Sequence, residues 1–220
     1  MMLSEKILHL KERLIEMSSL VEAMIDKSIK GLLDRKEELL KEVIEKNEPR
    51  ANDLEIEIDE LCTNLIALYQ PKAKDLRLIL TILKINNDLE RIADHAEDIS
   101  NHALFLIERP QVKPLIDIPR MADETIAMLK NSITAFITED TKLAWQVIER
   151  DDIVDGLKDQ ILRELITYMT SDSATIERSI HLIKISKHLE RAADLSTNIC
   201  EDVIFMVEGK IVKHLKEGEE

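Results

Sequence analysis

Apolar residues recur at alternating intervals of four and three along much of the chain. One stripe runs through Leu78, Ile82, Ile85, Leu89, Ile92, Ala96, Ile99, Ala103 and Leu106, and a second through Leu182, Ile185, Leu189, Ala192, Ser196, Ile199, Val203 and Met206. This is the spacing of a helix face packed in a bundle. Extended over the sequence, the pattern predicts six helices, at 4–33, 37–68, 75–107, 120–137, 141–169 and 175–208. Breaks fall at Asp34-Arg35-Lys36, at Gln70-Pro71 and in a window holding Pro110, Pro114 and Pro119, because proline cannot continue a helix and restricts its predecessor. Ser171-Asp172-Ser173 supplies capping side chains for the last helix.

The pattern is also duplicated. Leu-Glu-Arg-Ile-Ala-Asp at 89–94 returns as Leu-Glu-Arg-Ala-Ala-Asp at 189–194. Ala23-Met24, Ser28-Ile29 and Val43-Ile44-Glu45 match Ala127-Met128, Ser132-Ile133 and Val147-Ile148-Glu149 at an offset of 104, which falls to 100 from Glu55/Asp155 and Asp59/Asp159 onward. The first copy therefore carries about one extra helical turn near Glu48–Asn52, with Pro49 inside it, and a kink or bulge is expected there. The fold expected is all-α, a tandem repeat of two three-helix bundles packed side by side: 1–109, a proline-rich linker at 110–119, and 120–220 ending in a short tail.

Composition narrows this further. Four glycines, five prolines and 3% aromatic residues leave long helices as the economical solution. A net charge of −14 argues against nucleic acid, which requires a basic stripe. The N-terminal segment lacks the apolar core of a signal peptide and no apolar run is long enough to span a membrane, so the expectation is a soluble, cytoplasmic chain without membrane insertion. Cys62 and Cys200 lie in helical patterns without metal-ligand spacing and read as buried thiols of a reducing compartment. Trp145 and Tyr168 read as packing groups.

Candidate chemistry lies in acids spaced four apart. Glu90, Asp94 and Asp98 share a helix face opposite the apolar stripe, and Glu55/Asp59 form another such pair on the preceding helix. The second copy offers Asp155/Asp159, with Asp151 one turn earlier, and Glu190, Asp194 and Asn198. Like charges so stacked repel by roughly 0.2–0.5 kcal/mol per pair. If short loops set the second and third helices of each copy antiparallel, the pairs converge into an oxygen-ligand site for Mg, Ca, Mn or Fe. The competing reading is plain solvated charge. Arg91 and Arg191 are expected to bridge to neighbouring helices. No histidine follows a glutamate by three residues, which removes the ligand pair of di-iron oxidase bundles, and no catalytic triad, phosphate loop or zinc-type cluster is present.

These residues resemble the PhoU family of phosphate-uptake and phosphate-signalling regulators. The resemblance rests on Gln70-Pro71-x-Ala73-x-Asp75-Leu76-Arg77 and Leu89–Asp94 in the first copy. In the second it rests on Tyr168-Met169, Asp172-Ser173, Thr175-Ile176, Leu189–Asp194 and Asn198-Ile199-Cys200-Glu201. It implies metal clusters, iron in some members, on Glu/Asp-x-x-x-Asp motifs: here Glu55/Asp59 with Glu90/Asp94, and Asp155/Asp159 with Glu190/Asp194. Asn198 in place of Asp98 puts the second site in doubt. The resemblance also implies a non-enzymatic adaptor that restrains a phosphate ABC transporter through its ATPase and a sensor histidine kinase, with homodimerisation left open. A carboxylate-bridged metalloenzyme and a metal-free helical scaffold are the alternatives.

Overall fold

The computed structural model describes residues 3–209; the expected tail, with His214, lies outside the described residues. The helices are α1 (Leu3–Asp34), α2 (Glu37–Glu42), a π-helical segment (Val43–Asn47), α3 (Glu48–Tyr69), α4 (Lys74–Ile107), α5 (Asp117–Thr138), α6 (Thr141–Ser171) and α7 (Ile176–Glu208), with a 3₁₀ turn at Ser173–Thr175 before α7. No strand occurs among the described residues.

The extra turn of the first copy is absorbed without a break. A four-residue insertion over-rotates an α-helix by about 40° relative to one whole turn. The wider π segment takes up that surplus, as π-bulges do. Leu40 before it, Val43 at its start, and Ala51, Leu54 and Ile58 after it all remain buried. Pro49 stands at the start of α3, just past the segment where α-helical bonding is interrupted. The expected bulge is thus present, slightly earlier than the insertion itself.

Most helix ends fall within one or two residues of expectation, and the largest departure is at α5. α5 begins at Asp117, placing Pro119 in its first turn, where a missing N–H costs nothing. The connection ahead of it is fixed in place. Lys113 is buried, its ammonium bonded to Glu164 and 3.9 Å from Asp117, and Arg178 donates to the Pro110 carbonyl at 2.7 Å. Asp172 caps the 3₁₀ turn, accepting from the Ala174 amide at 2.9 Å.

α1, α3 and α4 form one three-helix unit and α5, α6 and α7 the other. α1 packs on α5, and α4 packs along α7. Lys84 meets Asp202, His95 meets His188 and His102 meets His181, so α4 and α7 run antiparallel. Buried aliphatic residues of both units form one continuous core, with Trp145 packed against it and both cysteines buried and free. Ser28 and Ser132, related by the repeat, are fully buried and return their hydroxyls to the carbonyls of Ile25 and Leu129. That satisfies the polar atom locally and leaves a small surface for close helix approach. Gly31 serves the same end: a Cβ there would lie 2.5 Å from Leu40 Cδ2.

Candidate metal centre

Each repeat turns its acids outward along the groove between its last two helices, but the two grooves differ. In the first, α3 and α4 are tied by buried Asn86. Its side-chain amide donates to the Glu55 carbonyl at 2.9 Å and to Asp59 Oδ1 at 3.0 Å. This holds the Asp59 carboxylate and ties the backbone at Glu55 to α4. Glu55 is half-buried, and burial raises its pKa, helped by the charges of Asp59 and Asp94. Half-buried Glu90 is raised by burial and then by Asp94 and Glu55. Asp94 is raised by burial and then by Glu48 and Asp98. Glu48 and Glu97 also belong to this face, Glu97 being raised by burial and then by Glu48. Among the described residues, none of Glu55, Glu90, Asp94 and Glu97 forms an ion pair with a basic side chain. Arg91, expected to bridge to a neighbouring helix, pairs instead with Asp88 on its own helix at 3.9 Å. The outcome is an all-oxygen face, with Glu55 and Glu90 half-buried and Asp59 and Asp94 exposed, that carries excess negative charge, the donor chemistry hard cations take.

The second groove already holds a cation. Lys158 on α6 donates to Asp155 at 2.7 Å and to Glu190 at 3.0 Å, and these bonds push its pKa up. The residue one hundred positions earlier is Ile58, which is buried in the core. Asp151, half-buried, is pushed up to about 6 by burial and then by Asp194, Asp155 and Glu190. Asp194 is raised by burial and then by Glu190 and Asp155. Asp159 is exposed, with no Asn86 equivalent to hold it. At the matching position Ser186 turns its hydroxyl to the Ile183 carbonyl at 2.9 Å.

The structure therefore brings Glu55, Asp59, Glu90 and Asp94 to one face, and Asp155, Glu190 and Asp194 to another with Asp151. It leaves Asp159 apart. Asp98 turns toward α7, with Oδ2 3.5 Å from His188 Nδ1. Asn198, its counterpart in the repeat, lines an open cleft between α4 and α7 with Arg91, Arg191 and Asp194. Among the described residues, the trio whose ligand atoms all lie within 4.8 Å of one another is His95, Asp98 and His188, not a set of the predicted carboxylates. Glu48, which the π turn carries into the groove, Glu97, Lys158 and the four α4–α7 histidines escaped sequence reasoning. Lys158 was detectable as a charge aligned with a core isoleucine. His95/His102 and His181/His188 were detectable as two seven-residue spacings, each on one helix face.

Comparison with known proteins adds the family. The PhoU domain profile matches residues 14–103 and again 118–203. A phosphate-specific transport system accessory protein PhoU homolog from Aquifex aeolicus is 44% identical over 204 residues, covering 93% of this chain and 92% of the relative. PhoU homolog 2 of Thermotoga maritima, which bears the same accessory-protein name, is 33% identical over 96% of this chain and 90% of its own length. The crystal structure of PhoU from Pseudomonas aeruginosa superposes with a TM-score of 0.91 at 32% identity, covering 95% of this chain and all of that one. That of the phosphate transport system regulatory protein PhoU from Streptococcus pneumoniae, at 24% identity and a TM-score of 0.88, shares the fold. These names describe accessory and regulatory proteins rather than enzymes. With one domain match in each repeat and relatives this similar over nearly the whole length, the chain belongs to the PhoU family.

Proposed function

We propose that this protein is a non-enzymatic regulator that works with a phosphate transport system and restrains phosphate import when phosphate is plentiful. The observation that carries this is the similarity of both repeats, at near-complete length, to proteins named as phosphate transport accessory proteins. Its partners on this reading are the transporter's ATPase and a sensor histidine kinase, engaged through the acidic outer faces, whose charge favours basic partner surfaces. Two free, buried thiols suit a cytoplasmic setting. No helix among the described residues is long and apolar enough to cross a membrane, so association with a membrane transporter would run through surface contacts.

The first acidic face is the metal site of this reading. Glu55, Asp59, Glu90 and Asp94 would hold a divalent or trivalent ion such as iron, manganese, magnesium or calcium, with Glu48 in support. The ion would supply charge neutralisation and link α3 to α4. In the second groove Lys158 already performs part of that neutralisation, which favours a weaker site or none there.

The test is phosphate uptake by a host strain lacking the gene, grown with ample phosphate. The expected result is uptake that stays high and is restored to the restrained level by the intact chain. Uptake unaffected by deletion, together with failure to capture either the ATPase or a histidine kinase from phosphate-replete cells, overturns the regulatory reading.

A further inference from the structure

The seam between the repeats carries a second kind of ligand chemistry. His95 and His102 from α4 face His188 and His181 from α7. The Nδ1 atoms of His95 and His188 are 3.3 Å apart, and Asp98 Oδ2 is 3.5 Å from His188 Nδ1. An ion bound by imidazoles at 2.0–2.1 Å in tetrahedral geometry requires ligand atoms about 3.3 Å apart. Two edges of such a tetrahedron are therefore already set by the packing of α4 on α7.

We propose that His95, Asp98 and His188 form a binding site for a borderline divalent transition ion, zinc foremost, that clasps α4 of the first repeat to α7 of the second. Two imidazoles and one carboxylate leave a fourth position open to water or a partner group, the ligand count of non-structural zinc and related centres. Both imidazoles are partly buried, and each ring in its neutral form offers the nitrogen lone pair a metal needs. The outer pair continues the assembly. His102 Nδ1 lies 3.2 Å from His181 Nδ1, and the His181 ring stacks on Phe105 at 3.8 Å.

The repeat shows that this arrangement is specific to one side. One hundred residues away, the positions of His95, Asp98 and His188 are held by Leu195, Asn198 and Asp88. The equivalent cleft, lined by Lys84, Asn87, Asp88, Asn198, Glu201 and Asp202, contains no imidazole. The inference does not depend on the carboxylate face or on the regulatory reading, because its ligands include nitrogen and join different helices.

The test is titration of chelator-stripped protein with cobalt(II), followed in the visible spectrum. The expected result is one equivalent giving the strong absorption of a tetrahedral nitrogen-containing site, kept in Glu90→Gln and lost in His95→Gln and in His188→Gln. Only the faint absorption of octahedral cobalt, or a strong band unchanged in both histidine variants, overturns the proposal. A reading on the unaltered chain covers the case in which a variant misfolds. Zinc should shift the ring-nitrogen resonances of His95 and His188 at one equivalent, and resonances unmoved by excess zinc overturn the site, leaving an ordinary imidazole hydrogen bond.

Discussion

At the scale of single residues, the inequality of the two acidic faces comes down to a lysine. Asn198 in place of Asp98 is one difference between the copies, since Asp98 adds its charge to that on Asp94 while Asn198 lines a cleft with Asp194 without one, but a cation makes the larger difference. Lys158, bonded to both Asp155 and Glu190, is the substitution that matters more. Spacing could place the acids on a face but could not show an ammonium reaching between two helices. Lys158→Met should therefore add metal binding to the second face, seen as one further ion in a manganese titration by calorimetry; an unchanged stoichiometry would count against the lysine's role. Asp151 gives a pH-dependent prediction. Its folded pKa of about 6 lies above the ordinary carboxyl value, so its favourable, protonated contribution is complete below pH 4 and lost as pH rises through 6. In metal-free protein Asp151→Asn should match the parent near pH 4 and exceed it by about 1 kcal/mol at pH 7, a figure already reduced for solvent screening at a half-buried position. Urea denaturation at the two pH values checks this.

At the scale of elements, the helices were legible because their apolar residues follow one period for long stretches. Leu78 to Leu106 and Leu182 to Met206 are buried almost as the stripes require. What the period could not supply was the way four additional residues fit into a helix that must stay continuous. The π segment Val43–Asn47 resolves it, and the same rotation delivers Glu48 to the acidic groove. The start of α5 was misplaced because Pro119 reads as a break in sequence but is harmless within a first turn. Scarcity of glycine leaves another mark. Gln70 ends α3 in the left-handed region at φ 46°, as do Arg35 and Glu139 at φ 55° after α1 and α5. A non-glycine residue there carries a strain of roughly 1–2 kcal/mol. Gln70→Gly should stabilise the fold by about 1 kcal/mol in chemical denaturation, with helical content unchanged by circular dichroism.

At the scale of the whole molecule, duplication gives two similar bundles whose antiparallel α4 and α7 place unlike chemistry on related surfaces. One copy presents a carboxylate face with no ion-paired cation on Glu55, Glu90 or Asp94, the other a face partly neutralised by Lys158, and the seam between them holds the imidazoles. The two-bundle plan was visible in the repeat itself, whereas the pairing of α4 with α7 was not, since nothing in either stripe states which helix it meets. An ion that binds the folded chain alone must stabilise it. At a hundredfold excess over Kd the gain is about 2.7 kcal/mol, which for a chain of this size raises Tm by roughly 5–10 °C. Thermal unfolding of stripped protein with and without manganese should show that rise. The most direct test of the carboxylate face is a calorimetric manganese titration of the intact chain beside the Glu90→Gln, Asp94→Asn double variant. The expected result is loss of the tightest ion in the variant with its helical content intact; the same number of ions bound with the same affinity would contradict the assignment.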